Sequence, residues 1–249
     1  MRHDDFKVFP DEYKIAVIQA LTDAKRTDIH EFIREFALET FNGIDFLLWD
    51  FINSNLIRNA ADDRLIPIKV KRGRWTLLLL YDTELKYLYT LMKQKRFKQL
   101  QDQRENRSTA HYIDALAQLN NDLQSDVEQI YLFENEAWNE NVENLLLQIV
   151  REHRNEIERF VVIGFSTSKD DIVSVSAIVP SAELGTVYEA DWSEFIPTNY
   201  GGGSVTFDYI PSEEEEEDIP VKLKMQPETE ADPSVNLKKD DDNYNNEEN

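Results

Sequence analysis

Lys69, Lys71, Arg72 and Arg74 fall within six consecutive positions, and Lys93 and Arg96 follow about twenty residues later. Lys and Arg in this density suit phosphates, because each contact releases condensed counterions and none depends on base sequence. Residues 66 to 107 hold 11 basic and 4 acidic side chains, inside a chain whose formal net charge is -22. If about five phosphates were met, log affinity would fall against log salt with a slope near -4.5. The competing account is that these cations neutralise neighbouring acidic surface.

Other chemistry is thinly represented. The histidines are His3, His30, His111 and His153, and none has the His/Glu spacing of a zinc hydrolase or a di-iron site. His153 reads as a core or boundary histidine near Ile149 and Ile157. His111 and Asp114 are three apart at the start of a helix, a spacing that could orient an imidazole for acid-base work or simply place an acid favourably in a first turn. Glu84-Leu85-Lys86, with Asp62 and Asp63 upstream, is a poor match to the carboxylate pattern of a metal-dependent nuclease, and Asp82 or Thr83 reads better as a helix N-cap. Gly201 to Gly203 leads into no helix, so no phosphate loop is expected. The chain lacks cysteine, which removes thiolate catalysis, zinc fingers and iron-sulfur clusters. No catalytic residue, metal site or cofactor is assigned.

These side chains need elements to hold them. Helices are expected over 11–24, over 28–41 with Asp28 and Glu31 at capping-box-like spacing and Asn42-Gly43 as the stop, and over 44–58 with Leu47, Leu48, Phe51 and Ile52 inward. Ile66 to Lys71, a turn at Arg72-Gly73-Arg74, and Trp75 to Tyr81 read as a β-hairpin. Its first strand, with Pro67, belongs at an edge and its second near the sheet centre. In that edge strand Lys69 and Lys71 project to one side, opposite Ile68 and Val70. A long helix is expected over 83–106, another from Ser108 or Thr109 through Leu123, a short strand over 129–133, and a long helix over 136–159. Phe160 to Phe165 and Val173 to Val179 read as a second hairpin around Ser168 to Asp171, and Val187 to Trp192 as a further strand end.

The expected fold class is α+β: an antiparallel sheet built from two hairpins, packed against several long helices, as one domain over 1–210 with a sub-boundary allowed near 124–128. A hydrophobic share of 41% supports a packed core. From 211 to 249 there are 14 acidic and 4 basic residues with scattered prolines, the composition of a disordered acidic tail. At about 35 Å end to end, such a tail would reach across a body with a radius of gyration of about 17 Å. The N-terminus opens Met1-Arg2-His3-Asp4-Asp5 with no apolar run of a secretion signal. No stretch approaches the roughly 20 apolar residues of a membrane span. A cytoplasmic protein is expected.

Trp75-Thr76-Leu77, Tyr87 through Met92, His111 through Leu116, and Asp191-Trp192-Ser193 together resemble an uncharacterised family of proteins from Gram-positive bacteria and their prophages. The resemblance spans the body and not the tail. It implies a mobile-element or phage-conflict setting, and supplies no activity or catalytic residue.

The residues therefore point to a regulatory interaction protein that contacts nucleic acid or an acidic partner through Lys69, Lys71, Arg72, Arg74, Lys93 and Arg96, with the tail modulating access. The sequence leaves open whether the protein is an enzyme, and inclines to no. One alternative is an acidic inhibitor or antitoxin-like protein that occupies the basic groove of a nucleic-acid enzyme. A second is a metal-dependent nuclease. Oligomeric state is not legible.

Overall fold

The computed structural model describes residues 6–7, 9–73, 75–124, 136–168 and 171–197, without the side chain at 152. Arg74, the segment 129–133, most of the 124–128 boundary and the tail 211–249 lie outside the described residues.

The fold is α+β. Six strands form one sheet in chain order: β1 (Leu65–Arg72), β2 (Trp75–Asp82), β3 (Tyr87–Lys93), β4 (Arg159–Ser168), β5 (Asp171–Pro180) and β6 (Thr186–Asp191). Both expected hairpins are present, and β1 is the edge strand. Every neighbouring pair is antiparallel except β3 and β4, which run parallel from Tyr87↔Arg159 to Lys93↔Phe165. Two three-stranded meanders thus lie side by side, and the helices between them make the crossover that a parallel pair requires.

The stretch expected to be a helix over 83–106 is instead a strand, β3, followed by the helix α4 (Gln94–Asp102). Leu85, Leu88, Tyr89 and Met92 satisfy a helical period, but the run Tyr87-Leu88-Tyr89-Thr90-Leu91-Met92 is apolar at nearly every position. That is the signature of a strand covered on both faces, and all six residues are buried. The centre of the sheet is accordingly the β3/β4 junction, and β2 lies one strand away.

Alternation along the inner strands divides the core in two. Leu78, Leu80, Tyr89 and Leu91 face the core shared with the first three helices, α1 (Asp11–Asp23), α2 (Ile29–Glu35) and α3 (Ile44–Asn59). Leu77, Leu79, Leu88 and Met92 face the core shared with α4, α5 (Tyr112–Ala117) and α6 (Glu136–Val150). Each fully buried Leu contributes roughly 1.5–3 kcal/mol, so both layers of helix are tied to the sheet.

Several helix boundaries differ from expectation. Asp28 does not start a helix: a π-helical turn, Ala24–Asp28, joins α1 to α2 without a break. The Asp28 carboxylate instead accepts a hydrogen bond from Asn55 Nδ2 of α3 at 2.7 Å, a tertiary contact that outweighs the local cap. Helix α2 stops at Glu35, where Ala37 takes φ 46° and Phe36 is exposed, and Asn42-Gly43 precedes α3 rather than ending α2. Helix α6 ends at Val150, because Arg151 adopts φ 44° and a 3-10 turn brings the chain to β4. The helix expected from Ser108 or Thr109 is shorter than its pattern, with His111 as N-cap and a 3-10 turn, Gln118–Asn120, at its end.

Buried Asn120 fixes that end. Its Nδ2 donates to the carbonyls of Phe160 and Pro180, each at 2.8 Å, and its Oδ1 accepts from the Phe160 N–H at 2.9 Å. One side chain therefore clamps the crossover to the start of β4 and the end of β5.

Candidate nucleic-acid interface

The hairpin tip divides the predicted basic residues between the two faces of the sheet. Lys69 pairs in register with Leu78, and Lys71 with Thr76, so both project to the side of α3. Both are exposed, and neither has an ion pair among the described residues. Lys93, at the end of β3, lies on the same side and is 3.8 Å from Asp45 of α3.

Arg72 is turned the other way. Its guanidinium lies 4.6 Å from the centroid of the Tyr112 ring in α5, a cation-π contact. It joins Arg96 of α4 and Arg107 around His111, and these three positive charges act on the imidazole. Burial first, and then the three arginines, hold His111 well below its usual 6.5. The ring is therefore neutral near pH 7. Its Nδ1 accepts a hydrogen bond from the Ile113 N–H at 3.2 Å, which leaves the proton on Nε2.

Asp114 does not orient that imidazole. It accepts from the His111 backbone N–H at 2.7 Å and is gripped by Arg107 through two bonds of 2.6 and 2.7 Å. Arg104 lies 3.7 Å away and also pairs with Glu183. Asp114 is completely buried, so the sequence pair His111/Asp114 is a capping box over a buried ion pair. Neutralisation of acidic neighbours thus accounts for Lys93, Arg104 and Arg107. It does not account for Lys69 and Lys71.

Glu84 and Lys86 sit in the β2–β3 turn, at the opposite end of β2 from Arg72. Asp82, completely buried, accepts from the Glu84 and Leu85 N–H groups at 2.9 Å and from Arg64 Nε and Nη2 at 3.0 to 3.2 Å. Asp82 therefore caps a tight turn, in which Lys86 takes φ 61°, rather than a helix. Asp62 accepts from the Tyr13 hydroxyl at 2.6 Å. These hydrogen bonds, with that from the Leu65 N–H first, lower its pKa, while Asp62 pushes Tyr13 up to about 12. These carboxylates are engaged in holding turns, and Glu84 and His111 are not brought together. Among the described residues no group of three His, Asp or Glu side chains is arranged to hold a metal. Nor is any described helix long and apolar enough to cross a membrane.

Beside the two lysines lies a feature that the charge pattern did not disclose. Phe46, Asp50 and Asn53 of α3, with Trp75 and Thr76 of β2, line an open pocket of about 100 Å³. The ring of Trp75 meets Phe46 edge-on at 5.9 Å and Trp49 at 6.0 Å, and Trp49 in turn meets Phe165 at 5.7 Å. Phe46 is 60% exposed. The sequence signal was present: Phe46, Asp50 and Asn53 stand at i, i+4 and i+7 on one helical face, away from the inward set of Leu48 and Ile52.

No curated protein and no solved structure matches the chain. The profile of a family of unknown function (DUF5986) matches residues 7–237, farther toward the C-terminus than the body to which the sequence resemblance was confined. With that span, the chain belongs to this family, the family of unknown function DUF5986.

Proposed function

We propose that the protein is a non-enzymatic regulatory protein that binds nucleic acid through the tip of its β1–β2 hairpin, with Lys69 and Lys71, and with them the turn residue Arg74, meeting phosphates. Arg72, Lys93 and Arg96, engaged within the fold, contribute only to the field around the contact. The observation that carries this reading is the pair Lys69 and Lys71, exposed on one face of an edge strand with no ion pair among the described residues. Exposed lysines can also guard an edge strand against pairing, but in a chain of net charge -22 they form a local positive patch that an external polyanion would meet. In this proposal the acidic segment 211–249 competes for the same surface and so modulates access, since opposite charges attract appreciably within a Debye length of about 8 Å. A cytoplasmic location and a mobile-element or phage-conflict setting in Gram-positive bacteria belong to the same proposal.

The test is fluorescence anisotropy with short DNA and RNA at two salt concentrations. Salt-sensitive binding by the full chain should be lost in the Lys69/Lys71/Arg74→Ala variant and should strengthen when 211–249 is deleted. No binding at low salt by either the full chain or the truncated one would sink the reading. It would turn attention to a basic protein partner whose nucleic-acid groove this acidic chain occupies.

A further inference from the structure

We propose that the pocket between α3 and the start of β2 holds one base of a single-stranded nucleic acid, stacked on the exposed ring of Phe46 with Trp75 at its edge and favouring guanine. This rests on the nucleic-acid reading above, and adds to it a strand type and a base. Its occupant follows from three features in one place. Phe46 and Trp75 offer aromatic surface at the rim of an open pocket, with Phe46 60% exposed. Nonspecific recognition of single strands combines such aromatic platforms with a cationic track for the backbone. Here the track adjoins the pocket, because Lys71 is the register partner of Thr76 in the pocket wall and Lys69 lies two residues farther along the same face. Directly opposed residues of an antiparallel pair have Cβ atoms about 5 Å apart, so a phosphate on Lys71 leaves its own base beside the pocket wall at Thr76. A base paired within a duplex cannot enter.

The polar side of the pocket supplies the preference. Asp50 and Asn53 are one helical turn apart on α3, and both line the cavity. A carboxylate next to phosphates is unfavourable unless it accepts from the ligand. An ionised Asp is acceptor-only and takes two parallel donors best. Guanine presents N1–H and N2–H side by side, whereas uracil presents one N–H between two carbonyls.

The experiment uses the full chain and single-stranded oligodeoxynucleotides about 12 nucleotides long, within the usual range of site sizes, either with all bases or with abasic residues throughout. The two probes carry the same phosphates. The expected result is binding of the base-bearing strand about tenfold tighter than the abasic one. Trp75→Ala and Phe46→Ala should each remove most of that difference while the salt slope is retained. Phe46 is exposed enough that its replacement leaves the fold intact. Equal affinity for the two strands would overturn the pocket and leave the phosphate reading standing, whereas no binding of either at low salt would overturn both. Asp50→Asn then tests the base by the sign of its effect. A selective loss for strands containing guanine supports the assignment, and a uniform gain for all strands, as expected from removing a like charge, overturns it.

Discussion

The two faces of the β1–β2 hairpin use positive charge in opposite ways. On the α4–α5 face, Arg107 and Arg104 converge on a completely buried Asp114, Arg72 lies on Tyr112, and His111 is kept neutral among them. On the α3 face, Lys69 and Lys71 stand exposed beside an aromatic pocket. The choice of side chain follows the task. Arg forms planar, bidentate, weakly hydrated contacts that tolerate burial, and Lys is a strongly hydrated point charge that prefers solvent. A basic stretch in a sequence is therefore not one feature: its arginines here largely hold the fold, and its exposed lysines are left for something outside it.

The sharpest break of that contrast is Asp114→Asn. It keeps the volume but leaves the Arg107 guanidinium buried without its carboxylate, a change that costs roughly 3–5 kcal/mol when one partner of a buried pair is removed. Chemical denaturation should show that loss, and a change below about 1 kcal/mol would mean that the arginine cluster is effectively solvated. Asn120→Ala should rank next. It orphans the Phe160 N–H and two carbonyls at a buried site, for an expected loss of about 2–3 kcal/mol, seen as a lower denaturation midpoint at unchanged slope.

Much of this contrast was hidden in the sequence for identifiable reasons. The hairpin tip was legible because Pro67, the turn glycine and the alternation of Lys69 and Lys71 with Ile68 and Val70 are local signals. So was the orientation of both lysines. Which helices cover which face was not, because β3 satisfies a helical period and reads as the start of a long helix. Once that strand is misassigned, the parallel β3/β4 junction and the two meanders cannot be seen. Asp114 had the right spacing from His111 for a dyad, yet its fate is decided by Arg107, which the chain brings back through a 3-10 turn. The pocket needed α3 and β2 to meet, a tertiary fact that only the odd outward position of Phe46 hinted at.

A smaller effect separates the faces by pH. His111 has a folded pKa below its unfolded value. The unfolded chain thus binds more protons as pH falls below about 6.5, and stability is lost across that window until the folded group also protonates. Above it, both states are neutral and the full stability is present. His111→Asn retains an N-cap acceptor for the Ile113 N–H and cannot titrate. Thermal melts should therefore show a shallower decline for this variant than for the parent between about pH 6.5 and 5. Parallel declines in the two proteins would assign the acid sensitivity elsewhere. The Asp62 and Asp191 carboxylates, whose pKa values are lowered from 3.8 by hydrogen bonds, act only below that window.

The smallest expected change in stability is the most informative about use. Lys69 and Lys71 are exposed and form no ion pair among the described residues, so Lys69/Lys71→Ala should move the denaturation midpoint by no more than about 0.5 kcal/mol. If these side chains meet phosphates, the same variant should bind single-stranded DNA more weakly and flatten the plot of log affinity against log salt by about two, one for each contact removed. The two readouts together decide between internal and external roles. A large loss of stability with an unchanged salt slope would place the lysines with the arginines of the opposite face, as parts of the fold. A neutral melt with a flattened slope would mean that this face keeps its charge for a ligand, since a cation that contributes nothing to folding in so acidic a chain still raises the local concentration of any polyanion that approaches it.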